Sequence, residues 1–424
     1  MQSGHLTALF AAFLCASLLT RLWLASRQVK HVAQHRGAVP AAFAQTIALD
    51  AHQRAADYTI AKLRFGLVTL VVEAALLVSW TLLGGLDVLN AAVRDAVLPR
   101  WGGMAYQLAL LGSFTLISGA LDLPFSWWST FRLEQRYGFN RMTLGMWIGD
   151  LFKGVLIGAL LGLPIAAVIL WLMGAAGPTW WLWAWAVWMG FNLLILVLYR
   201  TVIAPLFNKF EPLQDDALKN RVEALMARCG FAAKGLFVMD GSKRSAHANA
   251  YFTGFGAAKR VVFFDTLLNS LSPGEVEAVL AHELGHFKHK HVLKRIVSMF
   301  ALSLAGFALL GWLSHQPWFY EGLGIQRSNI VAHAPKDALA LLLIMLAAPV
   351  FSFFISPLFA GLSRRHEFEA DAYACAQASG RDLANALLKL YEDNASTLTP
   401  DPLYVRFYYS HPPASERLAA MQPT

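Results

Sequence analysis

The stretch "SPGEVEAVLAHELGHFKHKHVLKRIV", residues 272–297, decides the fold, because it places a histidine-rich segment directly before a long apolar run. We expect it to form one helix, with Ser272 as N-cap and Glu275 completing a capping box. His286 precedes Val292, the first residue of the apolar run, by six positions. At about 1.5 Å per residue, that is roughly 9 Å along a helix. The histidines are therefore predicted to lie at the end of a membrane helix.

The spacing of the histidines in this stretch indicates a metal site. His282 and His286 are four residues apart, so a helix puts both on one face, with Glu283 beside them. This is the His-Glu-x-x-His pattern of two zinc ligands and a general base. The alternative is a charged helix face with incidental histidines. The metzincin class is excluded, because His289 stands where it requires glycine. We interpret His289 and His291 as polar residues near the membrane without a role at the metal.

A catalytic zinc needs a third protein ligand, and the best candidate follows in "RRHEFEADAYA", residues 364–374. Glu367 and Asp371 are four apart and would share one helix face. Glu367 is the predicted ligand. Asp371 is predicted to accept a hydrogen bond from the free ring nitrogen of a ligand histidine. Glu369 is two positions away and should point elsewhere. Alone, this segment reads as an ordinary acidic helix.

The composition is typical of a membrane protein. Of 424 residues, 57% are hydrophobic and 15% are charged, against about 25% charged in soluble domains. The net charge of +8 does not indicate nucleic-acid binding, because no basic block alternates with stacking aromatics. Cys15, Cys229 and Cys375 are far apart and form no CxxC pair, which disfavours a thiolate metal site.

Apolar runs long enough to span a bilayer by helix occur seven times. They lie near residues 5–26, 65–87, 104–126, 152–175, 179–203, 292–314 and 338–360. The first run is interpreted as a retained helix and not a signal peptide, because it is long and lacks a basic residue before it. "GAAGPT" between the fourth and fifth runs predicts a tight hairpin.

These runs divide the chain and predict its orientation. Helices 1–5 occupy residues 1–203, a polar segment 204–291, helices 6 and 7 residues 292–362, and a second polar segment 363–424. Lysine and arginine concentrate in the first, third and fifth loops, which predicts that these loops are cytoplasmic. The N-terminus would then lie outside, and both polar segments in the cytoplasm. "NAYFTGFG" and "RVVFFD" predict a small β-hairpin.

Charged residues that fall inside predicted membrane helices include Arg21, Glu73 and Asp122. An ionised group facing lipid costs at least about 2.5–3.5 kcal/mol. We therefore expect these side chains to face a water-filled interior or to pair with one another.

Several motifs together resemble one known family, the type I CAAX prenyl proteases. They are "RYGFNRMT", "APLFNKFEPL", "GSKRSAHANAYFTGFG", "AHELGH", "EFEADAYA" and "YSHPPASERL". The matches run in the same order from about residue 130 to the end. The first hundred or so residues match only in their pattern of apolar runs.

The resemblance implies an all-α membrane protein, with seven transmembrane helices forming a barrel around a chamber and a mostly helical cytoplasmic protease domain. It also implies one Zn²⁺ per chain facing the chamber, and cleavage near the C-terminus of prenylated CAAX proteins. By motif position, the zinc ligands are His282, His286 and Glu367, and Glu283 is the base.

Three further site residues come with the resemblance. His411 matches a histidine that stabilises the tetrahedral intermediate, and Arg417 matches an arginine near the zinc-site carboxylates. Asn249 matches a residue on a strand that holds the substrate backbone. From the residues alone, His411 reads as a loop histidine, and the strand at Asn249 as a structural hairpin or as an edge that pairs with an extended peptide.

The sequence predicts a membrane-embedded zinc endopeptidase whose partners are a peptide or protein substrate, either prenylated or unmodified, and the lipid bilayer, without nucleic acid. One alternative is a quality-control protease for membrane proteins with the same chemistry. Another is a seven-helix transporter or receptor with a structural zinc closed by four protein ligands. The alanine- and leucine-rich composition suggests a bacterial inner-membrane protein.

Overall fold

The computed structural model describes residues 2–248, 250–253, 258–331 and 334–421. The long helices are α1 Ser3–Gln34, α2 Leu49–Trp80, α3 Gly85–Trp128, α4 Leu144–Ala175, α5 Trp180–Leu198, α10 His291–Leu313, α13 Asp337–Ser352 and α14 Ser356–Gln377. The shorter helices are α6 Ala204–Phe207, α7 Asp216–Arg228, α8 Asp265–Ser270, α9 Pro273–Lys288, α11 Pro317–Gly322, α12 Arg327–Val331, α15 Gly380–Asp393, α16 Pro402–Tyr408 and α17 Ala414–Met421. The strands are β1 Phe210–Pro212, β2 Ala232–Met239, β3 Ala250–Thr253 and β4 Ala258–Phe264.

All seven predicted membrane helices are confirmed. Within the described ranges, seven helical segments are long and apolar enough to cross a bilayer, and each overlaps one of the predicted runs. The second predicted run, 65–87, extends beyond the end of its helix at Trp80. Their outer surfaces are apolar: on α4, Phe152 and Leu160 each expose 70% of their surface and Trp171 exposes 60%. Exposed apolar side chains over such an area mark a face that contacts lipid.

The predicted hairpin between the fourth and fifth helices is present. A single turn of 3₁₀ helix, Gly177–Thr179, joins α4 to α5. Gly177 has a φ of 64°, which glycine adopts without the cost that a Cβ atom imposes.

The last membrane helix has no loop after it. A 3₁₀ turn at Phe353–Ile355 links α13 directly to α14, which carries Glu367 and Asp371. The acidic segment is therefore a continuation of the seventh membrane helix.

The prediction that residues 272–297 form one helix is wrong. The capping box of Ser272 and Glu275 is present, but α9 ends at Lys288. Lys290 then adopts a left-handed conformation with φ 58°, and α10 begins at His291. A left-handed residue at a helix end reverses the direction of the chain, so α9 and α10 are separate helices that meet at an angle. The straight-helix distance from His286 to the apolar run no longer applies.

The predicted β-hairpin is confirmed, as β3 and β4 pair antiparallel, but it belongs to a larger sheet. The strand order is β1-β2-β4-β3, with β2 parallel to β4 and β1 antiparallel to β2. Sequence patterning missed the pairing of β2 and β4, which joins segments separated by a helical turn and the hairpin. The sheet packs on α7 and α9 through Leu225, Val261 and Leu284. Strand β3 forms one edge of it.

Side chains of α1 and α2 line a cavity of about 660 Å³ together with side chains between Tyr391 and His411. The cavity thus extends from two of the membrane helices to the C-terminal segment.

The charged residues inside the membrane helices face cavities. Glu73 and Asp122 both line a space of about 290 Å³ between α2 and α3. Arg21 and Glu73 line the 660 Å³ cavity. In the described part of the chain, no ion pair joins any two of the three, so of the two expectations the water-accessible interior fits better.

Candidate metal centre

The candidate centre forms where α9 and α14 pack against each other. Gly285 in the His-Glu-x-x-His motif allows their close approach. A Cβ atom at this position would lie 2.9 Å from the Cα of Ala370 and 3.2 Å from the Cβ of Tyr373. Contacts below 3.0 Å to backbone require the structure to shift. The glycine therefore sets the distance between the two helices.

Three potential metal ligands converge across this contact: His282 and His286 from α9, and Glu367 from α14. The Nε2 atoms of His282 and His286 are 3.2 Å apart. Glu367 lies 3.4 Å from Nε2 of His282 through Oε2, and 3.5 Å from Nε2 of His286 through Oε1. Ligands about 2.05 Å from a tetrahedral zinc are about 3.3 Å from one another, since the edge of a tetrahedron is about 1.63 times its centre-to-corner distance. The donor atoms already have this spacing.

The chemistry of the donor set fits a cation. Glu367 is buried, and its Oε2 atom has no hydrogen-bond partner. A buried carboxylate oxygen without a partner is costly unless a cation or donor satisfies it. Both histidines direct Nε2 towards Glu367. Nδ1 of His282 contacts Asp371, and Nδ1 of His286 contacts His291. One metal ion bound by these three side chains would satisfy every unpaired atom and retain an open coordination position.

Asp371 lies where the sequence predicted it. Its Oδ1 is 2.8 Å from Nδ1 of His282, so that nitrogen donates to it and Nε2 is left free for a metal. Arg417 on α17 donates to Asp371 through Nε, at 2.8 Å, and through one terminal nitrogen. Both side chains are buried. Arg417 thereby fixes the carboxylate that orients His282.

A second set of contacts, which the sequence did not predict, orients the other histidine. Nδ1 of His286 is 3.0 Å from Nδ1 of His291, and Nε2 of His291 is 2.8 Å from Glu369. His291 is buried and stacks on the ring of His366 at 3.9 Å. The expectation that His291 has no contact with the donor set is therefore wrong, whereas Glu369 lies outside the donor set, as expected. The error follows from treating α9 and α10 as one helix, because the turn at Lys290 places His291 beside the motif.

The charge states of the histidines differ in the absence of a metal. Burial lowers the pKa of His282, but its hydrogen bond with Asp371 and the nearby Glu367 carboxylate outweigh this and raise the pKa to about 9. Burial, together with the positive charge of His282, lowers the pKa of His286 to about 4. A metal must displace the proton on His282, so metal affinity falls as the pH falls.

Glu283 neighbours the donor set without belonging to it. It lines a cavity of about 390 Å³ together with His282, Glu367 and His411. Burial raises the pKa of its carboxyl group. In its position beside the ligands, the carboxylate can reach a water held at the open side of the centre.

His411 approaches the centre from the C-terminal segment. Its Nε2 atom is 3.4 Å from Oε1 of Glu367, and its side chain is 64% exposed. It lines both the 390 Å³ cavity and the 660 Å³ cavity, so the cavity at the candidate centre adjoins the cavity lined by α1 and α2.

Asn249 lies outside the described residues, so its predicted contact with substrate stays a prediction. The residue before it is held by Asn394, which the sequence did not indicate. The side-chain oxygen of Asn394 accepts from the backbone nitrogen of Ala248 at 3.1 Å, and its amide donates to the Ala248 carbonyl at 3.4 Å. This amide imitates a strand partner at the start of β3 and lines both cavities.

Two family models match the chain, and together they cover nearly all of it. Residues 28–209 match the CAAX prenyl protease N-terminal region of five membrane helices. Residues 212–424 match peptidase family M48.

Curated proteins of several eukaryotes are similar over most of their length. The chain is 32% identical to CAAX prenyl protease 1 of Saccharomyces cerevisiae over 430 residues, covering 97% of this chain and 94% of the yeast protein. It is 36% identical to a CAAX prenyl protease 1 homolog of Arabidopsis thaliana, covering 78% and 77% of the two chains.

The crystal structure of S. mikatae Ste24p has the same fold. It superposes with a TM-score of 0.91 at 30% sequence identity, over 98% of this chain and 99% of that one. Sequence, fold and coverage agree: the chain belongs to the CAAX prenyl protease family of membrane-embedded metallopeptidases.

Proposed function

We propose that the chain is a zinc endopeptidase that cleaves membrane-associated proteins near their C-terminus, with prenylated CAAX proteins as one substrate class. The observation that carries the proposal is the spacing of the three donor atoms, 3.2 to 3.5 Å, beside Glu283. One zinc ion per chain would be held by Nε2 of His282, Nε2 of His286 and the carboxylate of Glu367. Three donors leave one position open, which favours catalysis over a structural zinc closed by four.

Each residue around the centre has a separate chemical role. When bound, the zinc would act as a Lewis acid that polarises a water molecule and the scissile carbonyl. Glu283 takes the proton of the attacking water and later donates it to the leaving amine. His411 faces the open cavity and donates a hydrogen bond to the oxygen that becomes negatively charged.

We assign Arg417 a positioning role and not a direct one at the oxyanion. Two of its three side-chain nitrogen atoms contact Asp371, and the side chain is buried. A group held in this way stabilises the orientation of His282 through Asp371. Loss of Arg417 would leave the Asp371 carboxylate buried without its cation, which is strongly destabilising.

The chamber indicates how a membrane substrate reaches the centre. The 660 Å³ cavity touches α1 and α2 on one side and His411 on the other. A substrate anchored in the bilayer by a lipid can therefore extend its C-terminal residues to the metal. A quality-control protease for membrane proteins would use the same centre on unmodified segments, and peptide assays distinguish the two.

The orientation follows from the loop charges: the N-terminus lies outside, and the metal centre lies on the cytoplasmic side. Reporter fusions after Arg94 and after Lys234 test this. We expect cytoplasmic reporter activity only at the second site, and the reverse pattern would invert the topology. The relatives reported above are eukaryotic, and the bacterial origin suggested by composition stays a prediction.

Glu283→Gln tests the mechanism. Glutamine keeps the shape of the side chain but cannot accept the proton of the water. We expect zinc content and thermal stability like those of the parent, and a loss of peptide cleavage by about 10²- to 10⁴-fold. The assay is cleavage of farnesylated and plain peptides by purified protein, with and without a chelator.

Glu223→Gln is the matched control, because Glu223 is an exposed glutamate on α7 away from both cavities. It should cleave like the parent. Chelator-sensitive cleavage at the parent rate in Glu283→Gln would contradict the role of Glu283. If the parent cleaves no peptide and its zinc has four protein ligands, the site is structural.

A further inference from the structure

Arg21 is a charged residue inside the first membrane helix. Its guanidinium lies over the ring of Phe353, 4.5 Å from the centroid. Among the described residues, its buried Nε atom has no hydrogen-bond partner, and no carboxylate forms an ion pair with it. A charged side chain in a membrane helix is costly unless it faces water or a partner, so Arg21 is a candidate for binding an anion.

Other arginines of the same region do have carboxylate partners. Arg27, less than two helical turns along α1, donates to Asp401 at 2.8 Å. Arg36 donates to Asp57 at 2.7 Å. These two arginines thus have carboxylate partners, whereas Arg21 has none among the residues that the structure describes.

Arg21 faces the chamber that leads to the metal centre. It lines the 660 Å³ cavity, which also contains Lys62, whose ammonium lies 4.8 Å from the ring of Tyr58. Glu73 lines the cavity too, and in the described part of the chain it forms no ion pair with either cation. With two cationic side chains and one carboxylate, the cavity lining thus carries an excess of positive charge.

The distance from Arg21 to the centre corresponds to a short peptide. Arg21 and Tyr408 line the same cavity, and the charge of Arg21 opposes the increase in the pKa of Tyr408 that burial causes. His411, three residues after Tyr408, lies 3.4 Å from Glu367. Three residues of extended chain span at most about 10–11 Å. A substrate tail of a few residues would therefore reach from the metal to Arg21.

We propose that Arg21, supported by Lys62, binds the C-terminal carboxylate of the substrate. The inference rests on the proposed function, because any substrate cleaved near its C-terminus has a free carboxylate a few residues beyond the scissile bond. The planar guanidinium matches a carboxylate through two parallel hydrogen bonds, and the low-polarity surroundings strengthen them. Arg21 thereby measures the length of the released fragment.

The test compares two forms of one peptide. A peptide that the purified, zinc-loaded parent cleaves is made with a C-terminal carboxylate and with a C-terminal carboxamide. The amide has no negative charge and cannot accept two parallel hydrogen bonds from the guanidinium. We expect kcat/KM to be higher for the acid by about 10- to 100-fold, the range for a hydrogen bond between charged groups.

Variants assign the preference to Arg21. In Arg21→Gln the acid-to-amide ratio of kcat/KM should fall close to one. In Arg21→Lys the ratio should fall part of the way, because lysine keeps the positive charge but cannot donate two parallel hydrogen bonds to a carboxylate. Arg64→Gln is the matched control. Arg64 is an exposed arginine on α2 that does not line the cavity, and its variant should keep the preference of the parent.

The outcomes separate the inference from the proposed function. If the parent cleaves neither form, the proposed function fails. If it cleaves both forms equally, or if zinc-loaded Arg21→Gln keeps the full preference for the acid, the assignment of Arg21 is overturned and the peptidase remains. If Arg21→Gln does not insert or bind zinc, the ratio in Arg21→Lys decides, and a ratio equal to that of the parent overturns the assignment.

Discussion

Replacing Gly285 by alanine tests how closely α9 and α14 must approach for the centre to form. The new Cβ atom would lie 2.9 Å from the Cα of Ala370. Carbon atoms in ordinary contact are about 3.5–4.0 Å apart, so the two helices must separate by at least about 0.6 Å. Metal–ligand distances tolerate errors of about 0.2 Å. The added methyl group therefore moves Glu367 out of range of a zinc held by the two histidines.

We expect Gly285→Ala to lower zinc affinity by about 10- to 100-fold, as other changes in the support of metal ligands do. The effect of the substitution on helix propensity has the opposite sign, since alanine stabilises a helix relative to glycine by up to about 1 kcal/mol. The measurement is zinc affinity by competition with a chelating dye, alongside the thermal unfolding midpoint of the metal-free protein.

Gly361→Ala is the matched control, because Gly361 also lies on α14 and its Cβ would meet only Arg364, at 3.8 Å. Its zinc affinity should equal that of the parent. If Gly285→Ala binds zinc as tightly as Gly361→Ala, the spacing of α9 and α14 does not determine the centre, and the reasoning is refuted.

Two further predictions concern the ligand shell and the substrate strand. Glu367→Ala should lose most of its zinc, as measured by elemental analysis. A full equivalent of zinc in that variant would show that another residue is the third ligand. His291→Ala removes the partner of Nδ1 of His286 and should weaken zinc binding by about 10- to 100-fold, whereas exposed His289→Ala should not, and equal affinities would leave His291 without a supporting role. Asn394→Ala should raise KM for peptides at unchanged zinc content, because the start of β3 loses its support, and parent-like kinetics would separate Asn394 from substrate binding.

The sequence predicted the parts of the structure that depend on local pattern. The seven apolar runs, the capping box at Ser272 and the turn at Gly177 follow from residues close in the chain, and each is found. The contact of Asp371 with a ligand histidine was predicted, though not which histidine, because both residue types belong to four-residue spacings on helices. A helix with histidines on one face and a helix with carboxylates on one face can bring these side chains together in few packing arrangements.

Features that depend on a change of direction were missed. Lysine is not a typical residue for the left-handed conformation, so nothing at Lys290 marked the end of α9. Without that turn, His291 and Glu369 could not be placed beside His286. The role of Asn394 was hidden for a similar reason, because its partner Ala248 is 146 positions away and is contacted through its backbone. Gly285, the glycine of the His-Glu-x-x-His motif, was a sequence signal for the close packing of α9 against α14, but it was not interpreted in that way.

The link between α13 and α14 has a consequence for how the protein is made. His282, Glu283 and His286 are synthesised before the last membrane helix, but Glu367, His411 and Arg417 all come after it. A nascent chain therefore carries an incomplete centre until its seventh helix has left the ribosome and entered the bilayer. Because these site residues are translated last, the proposed peptidase site is incomplete while unfolded segments of the same chain are still exposed nearby.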